Sequence, residues 1–202
     1  MDTGKTPEGE KHKGIFLVGS AGLAGAAILA KEKREDLLNR FRPGFIDRAA
    51  EVAKLLPGKD ACRILEKAGA RAVEACGAGG VFAGLWRLGE ALKTGMEADL
   101  RRIPVRQETV EICEFFGLNL YQLFSGGCFL AAAAHTEDFI SFLEAEGLQP
   151  VLIGRTAEGN DRILRNRENI RYLTKPAPDE LYRVFPERAE ELFRIWENTQ
   201  EA

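Results

Sequence analysis

The chain has 202 residues, of which 45% are hydrophobic and 29% are charged, and its formal net charge is -3. This size and composition are typical of one globular domain that can bury a substantial core. The small negative charge gives no electrostatic basis for binding nucleic acid, and no apolar run is long enough for a membrane helix. We therefore expect neither nucleic acid nor a membrane among the partners.

The residues that most often hold metals are few and scattered. None of them has the spacing of a metal site, and we expect no metal and no cofactor. Isolated cysteines are typical of a cytoplasmic protein that keeps its thiols reduced. The residues concerned are Cys62, Cys76, Cys113, Cys128, His12 and His135.

The N-terminal part begins with a polar stretch, residues 1–13, which is predicted to be a mobile tail. Residues 15–18 predict a buried strand, and a helix is predicted to begin near Leu23. Three glycines in this region have a spacing similar to that of a dinucleotide-binding turn, which requires a second strand ending in an acidic residue about 20 positions later. Residues 31–56 have helical patterns instead, so tight packing between strand and helix explains the glycines better. They are Gly19, Gly22 and Gly25.

Residues 71–95 combine a short strand, a glycine-rich turn and an amphipathic helix, and the rest of the domain is predicted to form around them. The turn at residues 77–80 lets the backbone approach a ligand at the helix N-terminus, where unpaired N–H groups favour an anion. Gly95 is predicted to end the helix in a left-handed conformation. The predicted buried stripe consists of Phe82, Leu85, Trp86, Gly89 and Leu92.

The second half of the chain alternates predicted helices and strands. Residues 96–100 predict a half-buried strand, and the small residues at 128–134 predict a central strand with helices close on its faces. Thr136 is predicted to cap the next helix. The remaining predictions are a helix at residues 110–116, a strand at 151–153 with its return at 162–165 across a turn, and a short strand at 170–173.

Pro176 and Pro178 mark a linker before a final amphipathic helix. The apolar strip of that helix either docks on its own domain or is covered by a partner, and the sequence leaves both open. The strip consists of Leu192, Phe193 and Trp196. The predicted organisation is a tail (residues 1–13), a domain (14–175), and a linker with a terminal helix (176–202).

Five segments together carry a family resemblance: AGLAGAAILA at 21–30, GAGGVFAGLWRLGEA at 77–91, IPVRQETVEICEFFGLN at 103–119, YQLFSGGCFLAAA at 121–133 and DELYRV at 179–184. They resemble the C-terminal domain of the AIR synthase-related (PurM-like) superfamily. This superfamily includes hydrogenase maturation dehydratases, selenophosphate synthetases and thiamine-phosphate kinases. The resemblance implies an α/β fold with helices packed on a mixed β-sheet of about four main strands.

The sequence departs from the family pattern in two ways. The resemblance implies an N-terminal domain that supplies most ATP and metal ligands and the usual dimer interface, and we expect this chain to lack it. The family's His-Asp-x-Thr-x-Gly-Gly pattern aligns with residues 74–80, where Ala75 replaces the aspartate and Gly77 the threonine. Alanine and glycine supply neither a proton acceptor nor a metal ligand. The family's Ser-Ser-Gly aligns with residues 125–127 and keeps one hydroxyl.

The candidate anion or ligand cleft lies between the two glycine turns, and no residue in it is assigned a catalytic role. Alternatives give Glu74 an acid–base role, or make Cys76 and Cys128 a redox or metal pair. The cleft residues are Glu74, Cys76, Gly77, Gly79, Gly80, Ser125, Gly126 and Gly127.

The leading functional hypothesis is a degenerate, non-catalytic domain that forms a homo-oligomer, most simply a dimer, or binds another protein such as a separate N-terminal-type domain. The alternative is the C-terminal half of an ATP-dependent enzyme acting on a phosphorylated or ATP-activated small molecule. A third hypothesis is a stand-alone module that binds a small molecule in the cleft.

Overall fold

A computed structural model describes residues 13–58, 60–134 and 137–201. The predicted tail, apart from Lys13, and the predicted cap at Thr136 lie outside these ranges. Within them the strands are β1 (Gly14–Val18), β2 (Ala72–Gly77), β3 (Gly95–Asp99), β4 (Ser125–Ala133), β5 (Pro150–Ala157), β6 (Arg162–Asn166) and β7 (Asn169–Tyr172). The α-helices are α1 (Leu23–Glu32), α2 (Arg34–Leu38), α3 (Pro43–Glu51), α4 (Ala61–Lys67), α5 (Gly80–Leu92), α6 (Gln107–Phe116), α7 (Glu137–Ala145), α8 (Leu181–Val184) and α9 (Ala189–Glu201).

The strands form one mixed sheet in the order β2-β4-β1-β5-β3-β6-β7. The pairing of β3 with β6 is parallel, and the other neighbouring pairs are antiparallel. The α/β fold with helices on a mixed sheet is therefore confirmed. The sheet has seven strands rather than about four, because short segments such as β3 and β7 extend it beyond the central strands.

The prediction that β6 returns directly beside β5 is wrong, because β3 lies between them. The connecting turn arches over the start of β3, where the backbone N–H of Met96 donates to the carbonyl of Asp161. A Cβ at Gly95 would lie 2.8 Å from that carbonyl oxygen and 2.9 Å from the carbonyl oxygen of Glu158. Gly95 therefore makes room for the turn and begins β3. Lys93, with φ 51°, is the left-handed residue that ends α5.

Helices cover both faces of the central strands. On one face Phe16 of β1 packs against Phe139 of α7, with ring centroids 5.1 Å apart. On the other face α5 lies so close that a Cβ at Gly84 would be 3.0 Å from Leu130 of β4. The small residues of β4 thus permit the close helix packing that the sequence predicts.

The predicted stripe of α5 is only partly buried. Phe82, Leu85 and Gly89 are buried, whereas Trp86 and Leu92 are half-buried. The remaining inner positions are occupied mainly by small residues and leucine, so the helix packs through a broader face than the stripe indicates.

The terminal helix α9 docks on its own chain. Leu192, Phe193 and Trp196 are each 4–5% exposed and join the core formed with α1, α3 and α6. The ring of Phe193 stacks on Phe124 with centroids 4.6 Å apart. The apolar strip is therefore covered internally. No helix in the described part of the chain is both long and apolar enough to cross a membrane.

Candidate functional site

The fold brings the two glycine turns together at one end of neighbouring strands. Gly77, the last residue of β2, is paired in register with Ser125, the first residue of β4. The first turn continues into α5, and the second turn lies near the start of α1. The predicted proximity therefore follows directly from the β2–β4 pairing.

The first turn has a backbone that only glycine adopts readily. Gly77, Gly79 and Gly80 have φ angles of 52°, 76° and 64°. At Gly80 an added Cβ would lie 2.5 Å from the carbonyl oxygen of Tyr121, so packing also requires glycine there. At Gly77 an added Cβ would meet nothing within 4 Å. At Gly79 an added Cβ would lie 2.7 Å from the Cβ of Ala83, so the turn combines two packed glycines with one that faces open space.

The second turn is filled by the protein itself. The Ser125 hydroxyl accepts from the N–H of Gly22 at 2.8 Å and donates to the carbonyl of Leu123 at 2.9 Å. A Cβ at Gly126 would lie 2.8 Å from the indole Nε1 of Trp196, and one at Gly127 would lie 3.1 Å from Leu56. The retained hydroxyl therefore orders the start of α1, and the two glycines accommodate neighbouring side chains.

Glu74 is tied to an arginine that the sequence reasoning missed. Its carboxylate forms an ion pair with the guanidinium of Arg87 on α5. The same guanidinium donates to the backbone carbonyls of Ala75 and Cys76, each at 2.7 Å. The candidate acid–base group is therefore already neutralised by a fixed cation. The 13-residue separation spans a strand, a turn and nearly two helical turns, so no local sequence pattern marks the pair.

Cys76 and Cys128 lie side by side on β2 and β4, and both are buried. Hydrogen bonding with Cys128, followed by burial, raises the pKa of the Cys76 thiol well above its ordinary value. A raised pKa suppresses the thiolate, which is the form that binds metals and attacks electrophiles. Among the described residues no three metal-ligating side chains cluster together.

Asp179 is a second residue of the site that the sequence analysis did not single out. Its Oδ2 accepts from the N–H of Gly79 at 2.7 Å, and its Oδ1 accepts from the N–H of Leu181 at 2.9 Å. The residue is only 3% exposed. Burial raises the pKa of this carboxyl to about 6, although hydrogen bonds from the N–H groups of Leu181, Gly79 and Phe124 act in the opposite direction. A buried carboxylate of the chain itself thus accepts from the N–H of Gly79, the residue that precedes α5.

An open groove of about 780 Å³ lies beside this contact. Trp86 and Tyr182 provide aromatic surface, and Arg87 and Lys175 provide positive charge. One face of Trp86 is already covered, because the guanidinium of Arg162 lies 4.0 Å from its ring centroid. The groove therefore offers apolar and cationic surface, and its lining includes Gly79 of the first turn but neither Ala75 nor Gly77.

Comparisons with known proteins identify the family and the fold of the chain. The chain matches the family described as AIR synthase related protein, C-terminal domain, over residues 11–165. It is similar to the crystal structure of E. coli HypE, with 22% identity and a TM-score of 0.61 over 85% of this chain and 52% of that one. It is also similar to a HypE–HypF complex, with 16% identity and a TM-score of 0.60 over 81% and 53% of the two chains. It is similar as well to thiamine monophosphate kinase from Aquifex aeolicus, with 18% identity and a TM-score of 0.54 over 78% of this chain and 51% of that one.

The chain thus spans about half the length of these solved structures. At these identities the likeness is one of fold. No curated protein matches the chain in sequence. The family match covers most of the chain and confirms the resemblance seen in its motifs: the chain belongs to the AIR synthase-related family, through that family's C-terminal domain.

Proposed function

We propose that this chain is a non-catalytic AIR synthase-related C-terminal-type domain that acts in the cytoplasm by associating with a second copy of itself. The non-catalytic role is supported by the geometry of residues 75 and 77. Ala75 is exposed and Gly77 faces open space, so room for functional side chains exists while the side chains themselves are missing. The cytoplasmic location is supported by the four cysteines, which form no disulfide.

The edge strand β7 supports self-association. All four of its residues are exposed, and Ile170 and Tyr172, 52% and 63% exposed, lie on the same face. An edge strand presents unpaired backbone N–H and C=O groups that a further strand can pair with. Glu168 immediately precedes β7 and Arg171 lies within it. Two antiparallel copies of β7 can therefore place a negative side chain of one copy opposite a positive side chain of the other. Antiparallel pairing of two β7 strands gives the two-fold symmetry that is commonest among homo-oligomers.

The experiment is a mass measurement by sedimentation equilibrium at micromolar concentration. We expect a dimer for the wild type and a monomer for Ile170→Glu, which places a charge in the proposed interface without disturbing the core. Val110→Glu is the matched control, because Val110 is 42% exposed on α6, away from β7. A monomeric wild type, or a dimer that survives Ile170→Glu, would refute this interface.

The second candidate function is the C-terminal half of an ATP-dependent enzyme that an N-terminal-type domain completes. It is favoured by the coverage of only about half of HypE and of thiamine monophosphate kinase. The HypE–HypF complex adds an example of a structurally similar protein that assembles with another one. This candidate predicts a monomer that forms a one-to-one complex with an N-terminal-type domain and binds ATP only there. Sedimentation and calorimetry on the mixed proteins separate the two candidates.

A further inference from the structure

A separate cavity of about 400 Å³ lies where β1 ends and β5 begins. Val18, the last residue of β1, is paired in register with Pro150, the first residue of β5. Cavities of this size are typical of small-molecule sites in proteins. Among the described residues, none of those assigned to the cleft between the glycine turns lines this cavity. The cavity is therefore a candidate site of its own.

Part of the cavity wall is apolar and belongs to the core. Val18, Leu23 and Leu148 line the cavity and are at most 6% exposed. Val18 and Leu148 pack in the cluster that β1 and β4 form with α7, whereas Leu23 packs in the cluster that includes α3 and α6. Because separate parts of the core hold these side chains, the fold itself fixes the shape of this wall.

Three polar residues also line the cavity: Ser20, Arg106 and Gln149. The turn that carries Ser20 is held close to β4, because a Cβ at Gly19 would lie only 3.2 Å from the Cα of Cys128. Among the described residues, the side chains of Ser20 and Gln149 have no hydrogen-bond partner. Their hydroxyl and amide groups are therefore available to donate to a ligand.

Arg106 determines the charge that the cavity favours, since it is the one charged residue among the described residues that line it. Its ion-pair partner in the described part of the chain is Glu108, whose carboxylate lies 3.9 Å from Nε. That distance is too long for a hydrogen bond, so Glu108 leaves the N–H groups of the guanidinium unused. A single cation, partly offset by a nearby carboxylate, favours a ligand with one negative charge over a dianion. A carboxylate is such a group, and it accepts two parallel N–H bonds from an arginine.

We propose that this cavity binds a small monocarboxylate with an apolar body. The carboxylate pairs with Arg106 and accepts from the side chains of Ser20 and Gln149, while the apolar body lies against Leu23 and Leu148. The inference does not depend on association through β7, because no residue of that strand lines the cavity.

The test uses hexanoate as the probe and backbone amide chemical shifts as the readout, at neutral pH. We expect the amides of Ser20, Gly147 and Leu148, which line the cavity, to shift in a saturable way. Two further compounds separate the two ends of the ligand. Hexan-1-ol keeps the apolar chain without the charge, and acetate keeps the carboxylate without the chain. Each should bind more weakly than hexanoate by about tenfold or more.

Arg106→Gln removes the charge from an exposed residue, so the fold should be kept. It should weaken the binding of hexanoate by about tenfold or more and leave that of hexan-1-ol unchanged. Arg102→Gln is the matched control, because Arg102 is also exposed but does not line the cavity, and it should bind hexanoate like the wild type.

Three results would overturn the proposal: shifts that do not saturate with hexanoate, equal affinities for hexanoate and hexan-1-ol, or unchanged hexanoate binding in Arg106→Gln. Inorganic phosphate that shifts the same amides at lower concentration than hexanoate would contradict the monocarboxylate class.

Discussion

Burial and hydrogen bonding act in opposite directions on the Asp179 carboxyl. Removal from water disfavours the charged form, whereas the N–H groups of Leu181, Gly79 and Phe124 favour it, and the neighbouring Glu180 disfavours it again. The net result is a pKa of about 6 in the folded protein against an ordinary value of 3.8. The folded state therefore binds a proton here more readily than the unfolded state.

This difference sets the sign of a pH effect on stability. Because the folded pKa is raised, the contribution of Asp179 to the free energy of unfolding is largest below pH 3.8 and is lost as the pH rises through about 6. The size is roughly 2 to 3 kcal/mol, from about two pKa units at 1.36 kcal/mol each. We expect the wild type to lose stability relative to Asp179→Asn between pH 4 and 7, as measured by urea denaturation at a series of pH values. A constant difference between the two proteins across this range would contradict the raised pKa.

Single residues also show what the sequence could and could not predict at the site. The glycines at 77, 79 and 80 were identified because glycine has a recognisable backbone requirement. The partners of the Glu74 carboxylate and of the Gly79 N–H could not be predicted, because Arg87 and Asp179 reach the site only through the fold. Local patterns predict the shape of the turn, but its electrostatics depend on distant residues.

At the scale of elements, Gly89 shows how a helix accommodates a neighbouring strand. A Cβ at Gly89 would lie 2.4 Å from Nε of Arg162, the first residue of β6. The Arg162 side chain is 9% exposed, stacks over Trp86 and pairs with Glu90. Gly89 thus leaves room for a cation to lie across α5, which explains a helix-interior glycine that the sequence could assign only to a buried stripe.

Because Gly89 lies against Arg162, we expect its replacement by alanine to have the opposite effect to the usual one for a helical glycine. Gly→Ala in a helix interior normally stabilises by up to about 1 kcal/mol. We expect Gly44→Ala, in the first turn of α3, to stabilise by less than this interior value, because a Cβ there meets nothing within 4 Å. Gly89→Ala should instead destabilise by about 1–3 kcal/mol, since overpacking forces Arg162 off the helix. Urea denaturation of both variants gives the comparison, and a stabilising Gly89→Ala would contradict the close contact.

The wrong prediction that β5 and β6 are neighbours also has a cause at the scale of elements. The sequence predicts most strands correctly as segments, since their alternation and small residues are local properties. It could not predict that β3 inserts between β5 and β6, because a four-residue turn can join adjacent strands or span two strand spacings of about 4.8 Å each. The close approach of the turn to Gly95 is visible only in three dimensions.

At the scale of the whole molecule, α9 completes the helical part of the core. Trp196 is 4% exposed and packs edge-to-face on Phe124, with ring centroids 6.4 Å apart. Its indole N–H has no hydrogen-bond partner among the described residues. The side chain therefore stabilises the fold through apolar contact, and its indole N–H adds no hydrogen bond to the described residues.

Two substitutions at Trp196 separate these contributions. Trp196→Ala should lower the free energy of unfolding by about 3–5 kcal/mol through loss of a large buried side chain. Trp196→Phe should cost clearly less, because it keeps an aromatic ring and removes an unpaired buried N–H. Neither variant should change the native mass if folded, since the strip faces its own chain. Dissociation caused by a folded Trp196→Phe would show that α9 takes part in the oligomer interface.

We propose that the chain alone neither binds ATP tightly nor hydrolyses it. A helix N-terminus favours an anion by only about 0.3–1 kcal/mol at exposed sites, whereas even a millimolar dissociation constant requires about 4 kcal/mol. Ala75 and Gly77 offer no metal ligand or proton acceptor, the Gly79 N–H is already bonded to Asp179, and the guanidinium of Arg87 is already paired with Glu74. The most direct test is calorimetry of the purified chain with ATP and magnesium, together with an assay of phosphate release. The account predicts no saturable heat and no hydrolysis above the buffer rate, and a dissociation constant in the low micromolar range would contradict it.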